Sequence, residues 1–375
     1  MKAKVMKSSL AAALNPLRGT AMPNPNVKVS VENGRIVFRT ITENWQYSTS
    51  AEVCTDDDKG CAFVSLKQLT KIVTSLPPDV VSVEDFGDCG LQLKSAGVEY
   101  RIASAANEVG ILLFNIDPIE TAKKTFDLPV AVFFEVLRKV KYAASEDPSR
   151  RSLCGVMFTF VDGVLTAVAT DGRRLATVDY DTGEKELTTS LFLPNEVVGK
   201  LFEIVRYESW RDYSAVVKFA VWDRLAKVDV ESRRFSAVFN IIDSQFPLWK
   251  QCVPDSANRR AVFPRDRMLE AIRRCSSVGH WGCGYGVLFE FSGQGCKLTI
   301  EEEGFVYHES LPCRLESEPF SVVFDPRYVA DICKAYDDDM ITVTTKAADD
   351  NRVNAPCKFE TSIPSIAVLM TMRIG

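Results

Sequence analysis

Short runs of alternating apolar and polar residues recur along the chain, and turn-forming residues join them in pairs. Asn33-Gly34 lies between two such runs, and Asp162-Gly163 lies between two more. Asn-Gly and Asp-Gly favour two-residue hairpin turns because both turn positions must accept positive φ. A third pair of runs flanks Gly293 and Gly295. Each pair predicts an antiparallel β-hairpin with one buried face.

A second feature recurs at the same spacing. Val64, Leu193 and Phe324 each end a short apolar run, and each run leads into a segment with apolar residues at helical spacing. These three positions are 129 and then 131 residues apart, and the hairpin turns are spaced by 129 and about 131 residues. Because two independent features keep one period, the sequence predicts three copies of a unit of about 130 residues.

Each unit also opens with a predicted helix, before its first hairpin. Pro129 and Pro264 precede the first helices of the second and third units, where a missing N–H costs little. Helices that alternate with groups of strands predict an α+β fold in which helices cover one face of antiparallel sheets. The predicted first helices are Ser8–Leu17, Val130–Ser145 and Arg265–Ser277, and the predicted domains are 1–125, 126–254 and 255–375.

Composition narrows the class of protein. Of the 375 residues, 46% are hydrophobic and 25% are charged, which is typical of a soluble globular protein. The eleven cysteines form no C-x-x-C pair and only two histidines accompany them, so we expect reduced thiols and no metal site. The sequence shows no signal peptide and no apolar run of membrane-spanning length. We therefore expect a cytoplasmic protein without a membrane partner or a cofactor.

Charge is distributed unevenly between helices and the rest of the chain. The net charge is −5, yet the six predicted helical segments together carry ten more basic than acidic residues. A shared basic face could hold a polyanion through phosphate contacts without reading bases. The alternative is that these are ordinary solvated, lysine-rich helix faces. The candidate cations for such a face are Lys7, Lys67, Lys71, Arg138, Lys139, Arg150, Arg151, Arg267, Arg273 and Arg274.

One octet, residues 169–176, is distinctive. Its sequence A-T-D-G-R-R-L-A predicts a hairpin, which alone would indicate only a surface turn. It resembles the A-T-D-G-x-R-L-A signature of the bacterial DNA polymerase III beta subunit, the sliding clamp. The segments 246–254, 324–329 and 370–373 are similar to further motifs of that family. The resemblance spans nearly the whole chain and also implies a threefold domain repeat.

The resemblance implies a ring that two subunits form head to tail around double-stranded DNA. Helices would line the hole, and the basic residues named above would face DNA without sequence preference. The implied dimer-interface residues are Tyr100 and Ile102 on one side, with Val278 and Trp281 on the other. The implied role is a non-catalytic processivity factor, with the DNA polymerase III alpha subunit, the clamp loader and other clamp-motif proteins as partners.

The resemblance also implies a groove that captures short peptide motifs of these partners. Apolar and methionine-lined clefts suit such capture, with Thr170 and Arg174 holding polar atoms of the peptide. Plain core packing is the alternative for the terminal methionines. The implied groove residues are Leu153, Thr170, Gly172, Arg173, Arg174, Leu175, Pro247, Gln251, Cys252, Val368, Met370, Met372 and Arg373. Arg173, Gln251 and Cys252 depart from residues common in the family.

Two other functions compete with this interpretation. An enzyme is disfavoured because no P-loop, H-E-x-x-H, nucleophile elbow or G-x-G-x-x-G stands in a suitable context. A divergent clamp paralogue that keeps the fold but binds different partners is the closer alternative.

Overall fold

The computed structural model describes residues 1–18, 25–42, 44–58, 60–105, 121–208, 214–241, 245–277, 286–302, 304–346, 355–361 and 364–372. The chain folds into two compact units. Unit 1 contains residues 1–134 and 196–243, and unit 2 contains residues 135–195 and 244–375.

Strands dominate the described part of the chain. In chain order they are β1 Lys2–Met6, β2 Asn26–Glu32, β3 Arg35–Ile41, β4 Trp45–Glu52, β5 Thr55–Asp58, β6 Cys61–Ser65, β7 Val80–Phe86, β8 Gly90–Ser95, β9 Val98–Ile102, β10 Lys124–Pro129, β11 Gly155–Val161, β12 Val164–Thr170, β13 Arg174–Asp181, β14 Thr189–Pro194, β15 Val216–Val221, β16 Leu225–Val230, β17 Phe235–Asn240, β18 Arg259–Pro264, β19 Val287–Ser292, β20 Gly295–Glu302, β21 Phe305–Leu311, β22 Arg314–Leu315, β23 Phe320–Phe324, β24 Met340–Thr345, β25 Cys357–Glu360 and β26 Ser365–Leu369.

Helices fall where the two repeated helical patterns predict them. They are α1 Lys7–Leu14, α2 Leu66–Ser75, α3 Val130–Val140, α4 Asn195–Glu208, α5 Arg265–Ser276 and α6 Pro326–Ala335. Short 3-10 turns continue α1 over Asn15–Leu17 and α3 over Lys141–Ala143. Ser65 caps α2 and Asp325 caps α6, each accepting a backbone N–H of the first turn. The prediction that each unit opens with a helix is wrong, because β1, β10 and β18 precede the first helices and pair with β7, β15 and β24. After that first strand, the predicted order of helix, strands, helix and strands is confirmed three times along the chain.

The three predicted hairpins are also confirmed. β2 pairs with β3, β11 with β12, and β19 with β20, all antiparallel. The turn residues Asn33, Gly34, Asp162 and Gly163 all have φ between 51° and 82°. This is the left-handed region that the Asn-Gly and Asp-Gly sequences tolerate with little strain.

Unit 1 is built on two antiparallel sheets. Its five-stranded sheet has the order β5-β1-β7-β8-β9, and its eight-stranded sheet has the order β10-β15-β16-β17-β4-β3-β2-β6. α1 and α2 contact each other, and α1 also contacts β1 and β4. Helix and sheet are joined by polar contacts too, since Thr49 Oγ1 donates to the carbonyl of Ala13 at 2.6 Å. The predicted packing of helices on antiparallel sheets is therefore confirmed here.

Unit 2 repeats this construction. Its nine-stranded sheet has the order β14-β11-β12-β13-β26-β25-β24-β18-β22, and its four-stranded sheet has the order β21-β20-β19-β23. α5 and α6 pack against each other. Aromatic rings connect the two sheets: Phe324 lies 5.4 Å from Phe289 within one sheet and 5.6 Å from Phe359 of the other. These buried rings form the centre of a continuous hydrophobic core.

Candidate peptide groove and charged surfaces

The turn between β12 and β13 is closed by its own side chains. The Asp171 carboxylate accepts the backbone N–H groups of Arg173 and Arg174 at 2.8 and 2.9 Å. Thr170 Oγ1 donates to the carbonyl of Arg174 at 2.7 Å and accepts the N–H of Gly172 at 3.1 Å. Gly172 has a φ of +85°, which disfavours any residue with a Cβ. The sequence T-D-G therefore fixes one rigid turn.

The last described strand lies beside this hairpin. β13 pairs with β26, so that Leu175 lies opposite Val368. One residue beyond the strand, the N–H of Met370 donates to the carbonyl of Arg173 at 2.9 Å. Because of this pairing, two motifs almost 200 residues apart in the sequence form one surface of unit 2.

A third segment completes a groove against this surface. Residues 247–252 lie across it, and they include a 3-10 turn over Trp249–Cys252. The groove encloses about 130 Å³. The residues that line it are Leu153, Thr170, Gly172, Arg173, Arg174, Leu175, Pro247, Trp249, Cys252, Val368 and Met370. All of them belong to unit 2.

The floor of the groove is apolar. Val168, Leu175 and Val368 form a small buried cluster, against which Phe246 and Trp249 pack. Trp249 is a lining residue that the sequence analysis missed. Its place two residues after Pro247 was the available signal, since a large aromatic close to a lining residue favours a role in a binding cleft. Met370 is 43% exposed, so its apolar side chain is accessible to a ligand at the groove wall.

Arg174 is held inside unit 2 by two carboxylates and two aromatic rings. It pairs with Asp171 at 3.1 Å and with Asp331 of α6 at 2.8 Å. Its guanidinium carbon lies 4.3 Å from the ring centroid of Tyr328 and 5.6 Å from that of Tyr142. Burial raises the pKa of the Tyr142 hydroxyl well above its usual value. Arg174 therefore anchors the groove hairpin to α6.

Replacing Arg174 with glutamine should lower the free energy of unfolding by about 2 kcal/mol, because Asp171 and Asp331 lose their shared cation in a largely buried setting. Denaturation in urea measures the change. Arg260 offers a matched control, since it pairs with Glu316 at 2.6 Å but is 49% exposed. Arg260→Gln should change stability by less than about 0.5 kcal/mol. Equal effects of the two variants would contradict an anchoring role for Arg174.

The remaining predicted groove residues lie elsewhere or beyond the described chain. Gln251 is exposed on the 3-10 turn and is not among the lining residues. Met372 is not among the lining residues, and its N–H donates to the carbonyl of Val323 at 2.9 Å. Arg373 lies outside the described residues. The structure thus brings ten of the thirteen predicted residues together.

The candidate DNA-facing cations fall into two groups. Lys67 and Lys71 on α2, and Arg273 on α5, are exposed and make no ion pair within the described residues. Arg151 is also exposed. The others are held by neighbours: Arg267 and Arg274 pair with Glu270, Arg274 also pairs with Glu309, and Arg150 pairs with Asp147.

Three of the residues predicted to face DNA are not freely exposed cations, and their prediction is corrected here. Lys139 is only 7% exposed, and its burial lowers the pKa of its ammonium group. The Lys7 ammonium donates to the carbonyls of Thr74 and Leu76, at the end of α2. Arg138 pairs with Glu135 and Asp337. These three side chains are therefore less available to contact phosphates. Lys7 and Arg138 already donate to a carbonyl or a carboxylate, and Lys139 is buried.

Of the four predicted dimer-interface residues, two lie within the described part of the chain. Tyr100 and Ile102 lie on β9, an edge strand of the five-stranded sheet. Tyr100 is partly exposed, whereas Ile102 is 3% exposed. Ile102 packs inside unit 1, so its side chain has little surface to offer a partner, and its prediction as an interface side chain needs correction. Val278 and Trp281 lie outside the described residues.

Neither a membrane-crossing helix nor a metal cluster is found in the part of the chain that the structure describes. No helix there is both long and apolar enough to cross a membrane. No three His, Cys, Asp or Glu side chains there are grouped to hold a metal ion. The ten described cysteines are free thiols.

The chain was compared with protein families, with other sequences and with solved structures. Residues 127–248 match the family model of the DNA polymerase III beta subunit, central domain. The beta sliding clamp of Rickettsia bellii is 22% identical over an alignment that covers 100% of this chain and 98% of that protein. The structure of the DNA polymerase III subunit beta from Pseudomonas aeruginosa superposes with a TM-score of 0.86 at 17% identity, covering 100% of both chains. A Caulobacter crescentus beta sliding clamp gives a TM-score of 0.85 at 19% identity, covering 100% of this chain and 99% of that one.

The chain therefore has the fold of DNA polymerase III beta subunits of known structure, and it is similar along its whole length to beta sliding clamps. More narrowly, the chain resembles the bacterial DNA polymerase III beta subunit, and the match to that family's central domain covers residues 127–248. The comparisons support this interpretation and give no support to a paralogue with different partners.

Proposed function

We propose that this chain is the subunit of a DNA sliding clamp that encircles duplex DNA and tethers replication enzymes to it. The observation that carries the proposal is the apolar groove of unit 2, which is built from three segments that each resemble a motif of the clamp family. The whole-chain likeness to beta sliding clamps supports it. The chain acts without catalysis, through topological linkage to DNA and through peptide capture.

The proposed assembly is a head-to-tail homodimer of three-domain subunits, with domain limits at 1–125, 126–254 and 255–375. Two sheet edges support this arrangement. Among the described strands, β9 pairs only with β8, and β21 pairs only with β20. Such edges expose unpaired backbone groups that a second chain can satisfy. Tyr100, on β9, lies at one of these edges.

The proposed DNA contact is made by exposed helix cations that form no ion pair with any residue the structure describes. Lys67 and Lys71 lie one helical turn apart on α2, and Arg273 lies on α5. Contacts of this kind to phosphates are indifferent to sequence, so a closed ring can slide. Elsewhere the chain is acidic, which disfavours stray binding of DNA to other surfaces.

The proposed groove partners are short segments of the DNA polymerase III alpha subunit, the clamp loader and other clamp-motif proteins. Leu175, Val368 and Met370 offer apolar contacts to such segments, and methionine adapts to several ligand shapes. A replication role of this kind places the protein in the cytoplasm, with the chromosome.

Mass in solution tests the assembly. One subunit has a mass of 41.7 kDa, so sedimentation should give about twice that value at micromolar concentration. Tyr100→Glu, on the edge strand β9, should shift the mass towards one subunit, because a carboxylate at a paired edge is costly to desolvate. Lys185→Glu, in the exposed loop after β13, serves as the control and should leave the mass unchanged. A single-subunit mass for the unaltered chain would contradict the proposed ring.

A further inference from the structure

Two cysteines of unit 1 lie where its two sheets come together. Cys61 begins β6, the last strand of the eight-stranded sheet, and Cys89 lies in the turn between β7 and β8 of the five-stranded sheet. The carbonyl of Cys89 accepts the N–H of Phe63 at 2.8 Å, which fixes this turn against the outer edge of β6. Cys61 and Phe63 point to the same face of β6, because side chains alternate along a strand.

The two thiols are neighbours. The side chains of Cys61 and Cys89 lie within hydrogen-bonding distance of each other, and both residues are partly exposed to solvent. The turn holds Cys89 in place, since its N–H donates to the carbonyl of Gly87 at 3.0 Å. Thiols this close need only a small rotation of their side chains to reach the separation of a disulfide bond.

The surroundings of the two thiols give them different roles in an oxidation. Burial, the neighbouring Cys61 and the carboxylates of Asp88 and Asp85 together raise the pKa of the Cys89 thiol, so it stays protonated at neutral pH. Because the thiolate is the form that reacts with oxidants, Cys89 is not the first thiol to react. Cys61 therefore reacts first, and Cys89 then attacks the oxidised sulfur.

We propose that Cys61 and Cys89 form a redox-sensitive pair, which hydrogen peroxide oxidises to an intramolecular disulfide and which a dithiol reductant restores. The Cys61 thiolate attacks one peroxide oxygen and the O–O bond breaks. The departing hydroxide takes up a proton, so that a sulfenic acid and one water result. The Cys89 sulfur then attacks the sulfenic sulfur, which forms the S–S bond and releases a second water. The two thiols lose two electrons in total, and one peroxide gains them.

The disulfide closes a covalent loop that contains the whole of α2. It ties the edge of one sheet to a turn of the other, and it opposes unfolding of unit 1 because the unfolded chain loses freedom. In a reducing compartment both thiols remain free, as they are in the structure. Peptide capture and DNA binding are not required for this chemistry, so the pair can be tested apart from the proposed function.

Peptide mapping of the oxidised full chain tests the pair. The protein is reduced, moved into buffer without reductant, treated with hydrogen peroxide, blocked with iodoacetamide and digested with trypsin. Trypsin places Cys61 in peptide 60–67 and Cys89 in peptide 72–94, so the disulfide joins these two peptides. The joined product has a mass about 2 Da below the sum of the two, and dithiothreitol should separate it. The variants are Cys61→Ser and Cys89→Ser, with Cys54→Ser, an exposed cysteine of the same unit, as the matched control.

We expect the joined peptides in the unaltered chain and in Cys54→Ser, and in neither variant of the pair. Oxidation should also raise the midpoint of thermal unfolding by about 5 °C in the unaltered chain and leave that of Cys89→Ser unchanged. Absence of the joined peptides from the oxidised protein, or joining of Cys61 mainly to Cys54, would overturn the pair. Joined peptides without a rise in the midpoint would overturn the stabilising link between the two sheets.

Discussion

Replacing Met370 with glutamate is expected to weaken binding of a groove peptide by about a hundredfold. Met370 lines the groove and is 43% exposed, so the substitution places a carboxylate against the apolar cluster of Leu175 and Val368. A charge without a partner in such a site opposes burial of the apolar anchors of the peptide. Peptide titration followed by fluorescence anisotropy measures the loss.

Met340 provides a close control for that substitution. It is the same residue type, belongs to the same unit, and is also 43% exposed, but it lies at the start of β24 and does not line the groove. Met340→Glu should leave peptide affinity within about twofold, since exposed sites away from special features tolerate change. Thermal unfolding of both variants should remain close to that of the unaltered chain. Equal loss of peptide binding in the two variants would argue against the groove.

Reversing three helix cations that make no ion pair within the described residues is expected to weaken binding of the chain to a short linear duplex by about a hundredfold. The variant carries Lys67→Glu, Lys71→Glu and Arg273→Glu. Each phosphate contact contributes about 0.9 to the slope of log affinity against log salt, so the loss of three contacts should flatten that slope by about 3. Titration of a short linear duplex with the protein, repeated over a range of salt concentrations, measures both quantities.

A charge-matched variant separates this effect from that of net charge. Lys4, Lys124 and Lys185 are exposed on strands and a loop rather than on helices, and their reversal changes the net charge of the chain by the same amount. That variant should keep the original salt slope. If both triple variants lost affinity for the duplex equally, the helices would have no special role in contacting DNA.

The hairpins and helices were predictable because their signals are local. Asn33-Gly34 and Asp162-Gly163 need positive φ, and the apolar spacing of α2 matches one buried helix face. The groove residues came mainly from resemblance to a family, because nothing in the spacing of Leu175 and Val368 indicates that their strands pair.

Long-range partners were beyond the reach of the sequence. Arg174 and Asp331 are 157 residues apart, so the ion pair between them has no local signal. Lys139 was predicted to be a free cation from its helix alone, and its burial depends on what packs around α3. Ile102 was predicted to face a partner, yet along β9 it is the one buried position.

A protein that holds DNA by encircling it can leave intact circular DNA only if its ring opens, but it can slide off any free end. The protein is loaded onto nicked circular DNA, the bound fraction is isolated by gel filtration, and half of it is cut once with a restriction enzyme. We expect the protein to stay on the circle and to be lost from the linear DNA through its free ends. Equal retention on circular and linear DNA would contradict a topological clamp.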